Sequence, residues 1–389
     1  MKLDEIFQIS KGKKPPELSN VRSPDSIPFI QIDGLRTAGR HQFCTKTQDL
    51  VTCDQNDILI VWDGAYSGLV GFNLEGAVGS TIARLRPKSD RIFPPYAGQF
   101  LKSKFKEIQE NATGAAIPHV NGGHLRRMEI PLPPLDEQKR IAAVLDKADA
   151  LRRQRQESLQ LTEKLLQSVF IDMFGDPVTN PKGWERIPFK ELLDNIDSGW
   201  SPKCLDRSAE GDEWGVLKLG AVTTCKYRWQ DNKALPSFEV PRRDHEIQAG
   251  DILFSRKNTY ALVAASVFVK ETRTKLLLPD LIFRFRLKGD SKIAPQYLHR
   301  LLITPSKRKS IQQLAGGAAG SMPNISKANL REVLIERPPF ELQTKFVERI
   351  AVIEEILDAQ NHYLLQSEGL FRSLQQRAFR GELDLSGLK

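Results

Sequence analysis

The chain has 389 residues, 40% of them hydrophobic and 27% charged, enough for two domains with ordinary cores. Its 57 lysines and arginines against 48 acidic residues give a formal net charge of +9, which favours a polyanionic partner. No apolar run reaches the roughly 18 residues of a membrane span, neither end reads as a signal peptide, and Cys44, Cys53, Cys204 and Cys225 lack C-x-x-C spacing, so the expectation is a reduced, cytoplasmic protein with no membrane partner and no zinc site.

In chain order, Met1 to Ile9 reads as a short amphipathic start, and Lys11-Gly12-Lys13-Lys14-Pro15-Pro16 as a basic turn. Phe29-Ile30-Gln31-Ile32 alternates like a strand and stops at Asp33-Gly34. Asp57 to Trp62 reads as a buried strand, followed by the turn-rich loop Asp63-Gly64-Ala65-Tyr66-Ser67-Gly68. Leu101 to Gln109 is helical in pattern and carries Lys102, Lys104 and Lys106. A Gly-rich segment, Thr113 to Gly123, then leads to Pro133-Pro134-Leu135-Asp136-Glu137-Gln138. From there some 36 residues run without Pro or Gly to Phe174-Gly175-Asp176-Pro177, which predicts one long helix roughly 55 Å in length. Ile141, Leu145, Ala148, Leu151, Leu165, Val169 and Met173 mark its expected seam.

The same parts then recur. Ile9 and Gly12 match Ile196 and Gly199, Phe29–Ile32 matches Val216–Leu219, and Asp57-Ile58-Leu59 matches Asp251-Ile252-Leu253. Ile117-Pro118 matches Met322-Pro323. Pro338-Pro339-Phe340-Glu341-Leu342-Gln343 opens a second rod, with Phe346, Ile350, Ile353, Leu357, Leu364, Leu370 and Leu374 on its expected seam. The chain is a tandem duplication of a globular part followed by a long helix. The offset between copies grows stepwise, as expected when loops differ on one framework, whether through distinct binding specificities or through drift. Both seams turn polar near the middle, at Arg155 and Ser158 and at Gln360, which can fix register in a coiled coil within one chain or between two chains.

Catalytic signatures are missing. There is no G-x-x-x-x-G-K-[ST] for an ATP-driven motor and no H-E-x-x-H or H-x-E with a later C-x-x-C for metal-assisted hydrolysis. The six histidines (His41, His119, His124, His245, His299 and His362) are scattered and read as ordinary surface or loop residues. Arg337-Pro338-Pro339-Phe340 and Phe93-Pro94-Pro95-Tyr96 are similar to the (Asn/Asp)-Pro-Pro-(Tyr/Phe) signature of amino-methyltransferases. Arg337 and Phe93 nevertheless lack the carbonyl acceptor that such chemistry needs, so the Pro-Pro pairs read as stiff lead-ins.

Taken together, the twin helix openings, the Asp-Ile-Leu strand starts (Gly250 precedes Asp251, Asn56 precedes Asp57) and the lead-in Pro181-Lys182-Gly183-Trp184 resemble the specificity subunits of type I restriction-modification systems. The resemblance covers essentially the whole chain, although the first copy begins almost at Met1 without that lead-in, so its edge is expected to be built differently. It implies an α+β fold with two α/β target-recognition domains in tandem, each followed by a long helix, the two helices packed as an antiparallel coiled coil with a domain at each end. The expected segments are 1–132 and 177–336 for the recognition domains, 133–176 and 337–381 for the helices, and 382–389 for a tail. It further implies a non-catalytic reader of a bipartite, asymmetric site on double-stranded DNA. Two adenine methyltransferase subunits and motor-nuclease subunits would dock on it, and those partners would carry S-adenosylmethionine, ATP and magnesium, with no cofactor in this chain.

On that reading, Lys11, Lys13, Lys14, Lys102, Lys104, Lys106, Lys307, Arg308 and Lys309 are candidates for phosphate contacts, with solvated helix faces as the alternative. Tyr66 and Ser67 in the first copy, and Arg256, Asn258 and Tyr260 in the second, are candidates for base reading, since Arg pairs well with guanine and Asn with adenine. Thr113, His119, Asn121, Ser321 and Asn324 from the Gly-rich segments are second choices. For these loop residues the alternative is a turn or cap role. Competing functions are a stand-alone two-domain DNA-binding regulator, a self-contained nuclease or methyltransferase, and a coiled-coil scaffold that binds no DNA.

Overall fold

The structure, a computed structural model, describes residues 1–36, 42–114, 116–316 and 322–384. A one-turn helix α1 (Leu3–Ile6) leads into β1 (Phe7–Lys11), β2 (Ser26–Ile30), α2 (Ile32–Arg36), β3 (Gln42–Thr45), β4 (Thr52–Cys53), β5 (Ile58–Val61), β6 (Val70–Phe72), β7 (Gly76–Val78) and β8 (Ile82–Pro87). Helices α3 (Pro94–Ser103), α4 (Phe105–Glu110) and α5 (Gly122–Arg127) precede the 40-residue α6 (Leu135–Phe174). The pattern then repeats with β9 (Glu185–Pro188), α7 (Phe189–Leu192), β10 (Leu193–Ser198), β11 (Gly215–Leu217), α8 (Gly220–Thr223), β12 (Asn232–Ala234), β13 (Ile252–Ser255), β14 (Ser266–Phe268), β15 (Leu276–Leu277) and β16 (Ile282–Leu287). Helices α9 (Pro295–Ile303), α10 (Pro305–Gln312) and α11 (Lys327–Arg331), strand β17 (Leu334–Arg337) and the 41-residue α12 (Phe340–Arg380) complete it.

The main sheets of the two halves correspond strand for strand. An antiparallel sheet in the order β1-β8-β5-β6 matches one in the order β10-β16-β13-β14. A second sheet pairs β2 with β7 in parallel (Phe29 opposite Ala77), as β11 pairs with β15 (Gly215 opposite Leu276). Gly12 and Gly199 occupy matching positions beside this second sheet, and a Cβ there would collide with the Val78 and Leu278 carbonyl oxygens respectively. The repeated Asp-Ile-Leu also acquires a physical reason. Asp57 and Asp251 are buried; each accepts from a backbone N–H three residues earlier (Asp54 N, 3.0 Å; Gln248 N, 2.9 Å). Arginines on the neighbouring strand satisfy their charge, Arg86 at 2.5 Å from Asp57, and Arg284 and Arg286 at 3.3 and 3.4 Å from Asp251. A buried carboxylate is tolerated when it is paired in this way.

Local expectations needed adjusting where turn chemistry took over. The strand expected at Phe29–Ile32 ends at Ile30, because Gly34 N bonds back to Gln31 O (3.0 Å) and the chain coils into α2. The helix expected at Leu101–Gln109 is two helices. The first begins at Pro94, where a missing N–H leaves no helix bond unmade, and Lys104 forms the joint with the second. The differing edge of the first copy is visible too. β9 pairs with β17, whereas the first copy has the single bridge Lys2–Glu129, flanked by hydrogen bonds from the Met1 amine to Ile130 O (3.1 Å), Ile130 N to Met1 O (2.9 Å) and Leu3 N to Met128 O (3.0 Å).

The chain forms two compact units, one of residues 1–158 and 360–389, the other of residues 159–359. In the first, Ile141, Ala142 and Leu145 from the start of α6 share a core with Phe371, Leu374 and Ala378 from the end of α12. Phe379 stands edge-on to Phe100 at 5.3 Å, and Arg155 donates to Tyr363 O at 3.1 Å. In the second, Leu166, Phe170 and Phe174 from the end of α6 pack on Phe346 and Ile350 from the start of α12, with Phe170–Phe346 ring centroids 5.6 Å apart. Each unit therefore joins the beginning of one long helix to the end of the other, and the two helices pack as an antiparallel coiled coil. Its inward positions keep a seven-residue repeat, Leu145, Arg152, Leu159, Leu166 and Met173 on α6 and Gln343, Ile350, Leu357, Leu364, Phe371 and Ala378 on α12. Leu151, Leu165 and Leu370, expected on the seams, are exposed. Stepping by seven from Leu159 reaches Leu166, so Leu165 is turned outward.

Candidate nucleic-acid interface

In the first unit the chain turns back after β5 at Gly64, whose φ of 102° suits glycine. Gly64 N donates to Pro118 O and Val120 N to Trp62 O, both at 2.8 Å, lacing this turn to the Gly-rich segment. Asp63 and His119 consequently face each other across an isolated antiparallel bridge, and His119 N also donates to Thr113 O at 2.7 Å. Asp63 receives Lys11 Nζ on one carboxylate oxygen and His119 Nδ1 on the other, each at 2.7 Å. Burial pushes this carboxyl up, but the hydrogen bonds from Lys11 and His119 outweigh it and hold Asp63 below the usual carboxylate range. An ionised carboxylate only accepts, so the hydrogen of this bond sits on His119 Nδ1.

Tyr66 stands 41% exposed at the tip of the turn, whereas Ser67 is only 2% exposed. Ser67 is a correction to the expected base readers, because the Ser67 N–H closes the turn onto Gly64 O (2.9 Å) and the side chain is packed inside. Asn121 is occupied as the N-cap of α5, accepting from His124 N at 3.0 Å. Thr113 remains exposed beside His119.

The second unit repeats this construction. Ile325 N donates to Arg256 O (2.8 Å) and Asn258 N to Pro323 O (3.2 Å), so Lys257 bridges to Asn324 as Asp63 does to His119. Tyr260, 65% exposed, takes the place of Tyr66. Asn258 is a second correction; it is 6% exposed and its Oδ1 accepts from Thr259 N at 2.8 Å, which leaves it shaping the turn. Arg256 is half-buried over the Phe283 ring at 5.3 Å. Arg308 also serves the loop from behind, donating to Ala261 O at 3.0 Å. Ser321 lies outside the described residues.

Two copies of one scaffold thus each present an exposed aromatic loop tied to a Gly-rich segment. Residues 1–161 match the type I restriction modification DNA specificity domain. The specificity subunit of the type I restriction enzyme MjaVIII from Methanocaldococcus jannaschii is 24% identical over 404 residues, covering 100% of this chain and 93% of that one. Over its whole length the chain is thus similar to type I specificity subunits. The Escherichia coli EcoEI specificity subunit is 36% identical over 217 residues, a match spanning 54% of this chain and 36% of that protein. The solved S subunit of a type I system from M. genitalium shares the fold at a TM-score of 0.59 and 16% identity, covering 97% of this chain and 95% of that one.

The basic residues of the chain sort by exposure. Lys13, Lys14, Lys106 and Lys309 are exposed, and Lys106 lies 3.6 Å from Glu110. Lys104 is half-buried and pairs with Glu107 at 2.9 Å. Lys102 lies 4.5 Å over the Phe72 ring, and burial lowers the pKa of its ammonium despite the nearby Asp149. Lys307 is the clearest correction. It is 4% exposed and its Nζ reaches Glu336 at 2.6 Å and Leu334 O at 2.5 Å, so it is a structural ion pair that no phosphate meets. Burial lowers its pKa, with Glu336 working in the opposite direction. Sequence reasoning passed over Asp63 as a turn former and Lys257 altogether. Aligning the two copies on β5 and β13 would have found them, since each lies two residues beyond its strand. Among the described residues there is no group of side chains that could hold a metal ion, and no helix is long and apolar enough to cross a membrane.

Proposed function

We propose that this chain is the DNA-reading, non-catalytic subunit of a type I restriction-modification complex, in which each unit reads one half of a bipartite, asymmetric target. The observation that carries this reading is the duplicated loop pair: the same hydrogen bonds fix the loop in both units, while the side chains presented differ. Identical scaffolds with different tips suit two different half-sites separated by an unread spacer of about one DNA turn. Exposed Lys13, Lys14, Lys106 and Lys309 would hold phosphates and set the register without reading bases. Tyr66 and Tyr260 would supply contact at the loop tips. The coiled coil would dock two adenine methyltransferase subunits, which bring S-adenosylmethionine, and motor-nuclease subunits using ATP and magnesium would join for restriction in the cytoplasm.

The test is modification-sensitive sequencing of DNA from cells that express this chain with its cognate adenine methyltransferase, beside cells that lack only this chain. Methyladenine at a gapped, two-part asymmetric motif, absent from the control, is the expected result. Methylation of the same adenines without this chain would refute the proposal. Tight specific DNA binding by the purified chain, with no effect on methylation, would favour a free-standing regulator.

A further inference from the structure

Three positions converge at the loop bridge of the first unit, and the corresponding positions hold different chemistry in the second. In the first unit they are Lys11 at the end of β1, Asp63 two residues after β5, and His119 in the Gly-rich segment. The corresponding positions in the second are Ser198 at the end of β10, Lys257 two residues after β13, and Asn324. The equivalence is fixed by register: Lys11 lies opposite Ala83 on β8, Ser198 opposite Phe283 on β16, and both bridges join the same two loops. The positive charge has thus moved from the outer strand to the loop, where an acid stands in the first unit.

We propose that this three-position cluster determines how the two half-sites differ, with Asp63 positioning His119 against one base pair and Lys257 reading a guanine in the other half. This rests on the DNA-reading function proposed above. In the first unit both Asp63 oxygens are engaged by Lys11 and His119, which leaves His119 Nε2, without a partner among the described residues, as the atom offered to a base edge. In the second, Lys257 is half-exposed with no ion partner among the described residues, and a free ammonium suits the O6 and N7 acceptors of guanine in the major groove. Asn324 Oδ1 is buried without a hydrogen-bond partner, a polar atom held beside Lys257 and left unsatisfied by the protein itself.

The experiment maps the methylated motif produced by the complex carrying Asp63→Asn, His119→Asn or Lys257→Gln. The wild-type complex must first yield a two-part motif; if it does not, the underlying DNA-reading function fails and not this assignment. Given that motif, Asp63→Asn and His119→Asn should relax the same single position in one half-site, and Lys257→Gln a guanine position in the other, each by about 10-fold or more. The spacer and the opposite half should stay unchanged. An unaltered motif, or an even loss of methylation across all sites from folded variants, would overturn the proposal. His119→Asn and Lys257→Gln alter surface side chains, so they keep the test decisive should Asp63→Asn fail to fold.

Discussion

Replacing Gln343 with Leu tests why both rods open on the same six-residue pattern. Gln343 is fully buried at the start of α12; its Oε1 accepts from Ala294 N at 2.8 Å, and its Nε2 donates to Lys292 O at 3.2 Å and Pro338 O at 2.8 Å. Leu preserves most of the volume but deletes all three bonds. A buried N–H left without an acceptor costs about 1–3 kcal/mol, and each carbonyl that loses its donor about 1 kcal/mol, for a total of about 3–5 kcal/mol. Urea denaturation followed by circular dichroism should show that loss for Gln343→Leu. Gln138→Leu should show a similar one, since Gln138 bonds Phe93 N, Arg91 O and Pro133 O in the same way. Glu341→Ala, exposed within the same pattern, should change stability by no more than about 0.5 kcal/mol. A loss below about 1 kcal/mol for the Gln343 change, or an equal loss for Glu341→Ala, would refute the argument.

Lys13→Gln with Lys14→Gln should flatten the dependence of log affinity on log salt by about 1.8 in DNA binding by the assembled complex, because two phosphate contacts are lost. Lys307→Met should leave that slope unchanged and destabilise the fold by about 3 kcal/mol, since it strips Glu336 of one of its two cationic partners; a changed slope would contradict the placement of Lys307. His299 gives a pH prediction. Burial drives its pKa down to about 3, and its Nε2 lies 3.2 Å from Ser266 O, so the folded state keeps it neutral while the unfolded chain takes up a proton near 6.5. The unfolded state therefore binds more protons between those values, and stability is full above about 6.5 and falls as pH drops towards 3, by about 2 kcal/mol at pH 5. Equal acid sensitivity of wild type and His299→Leu, measured as denaturation midpoints between pH 7 and pH 5, would show the reasoning to be wrong.

Much of the framework was legible because duplication doubles every signal. Gln138 and Gln343 recur at the same place in two rods, as do Asp57 and Asp251 ahead of two buried strands, and the structure gives each pair the same partners. What one copy shows weakly, two show together. The reading of individual side chains fared less evenly, for a physical reason. Lys307 and Lys309 are indistinguishable in a basic run, yet one faces Glu336 across the fold and the other faces solvent, a difference set by a strand nearly 30 residues further along. Ser67 follows an exposed tyrosine in sequence but is turned inward by a hydrogen bond to Gly64. Leu165 and Leu166 are chemically alike, and only the strict seven-residue repeat decides which is buried.

The glutamine staple at the root of each rod makes all three of its bonds to main-chain atoms, and both of its partners in the globular part are peptide groups. A joint made to peptide groups is indifferent to the side chains on them. Exposed loops of the globular part can therefore be rewritten, or a whole globular part exchanged for another of the same framework, without retuning the place where it meets its helix. On the DNA-reading function proposed above, interchangeability of this kind would let a chain acquire a new target in one recombination event, with the mechanical coupling inherited intact.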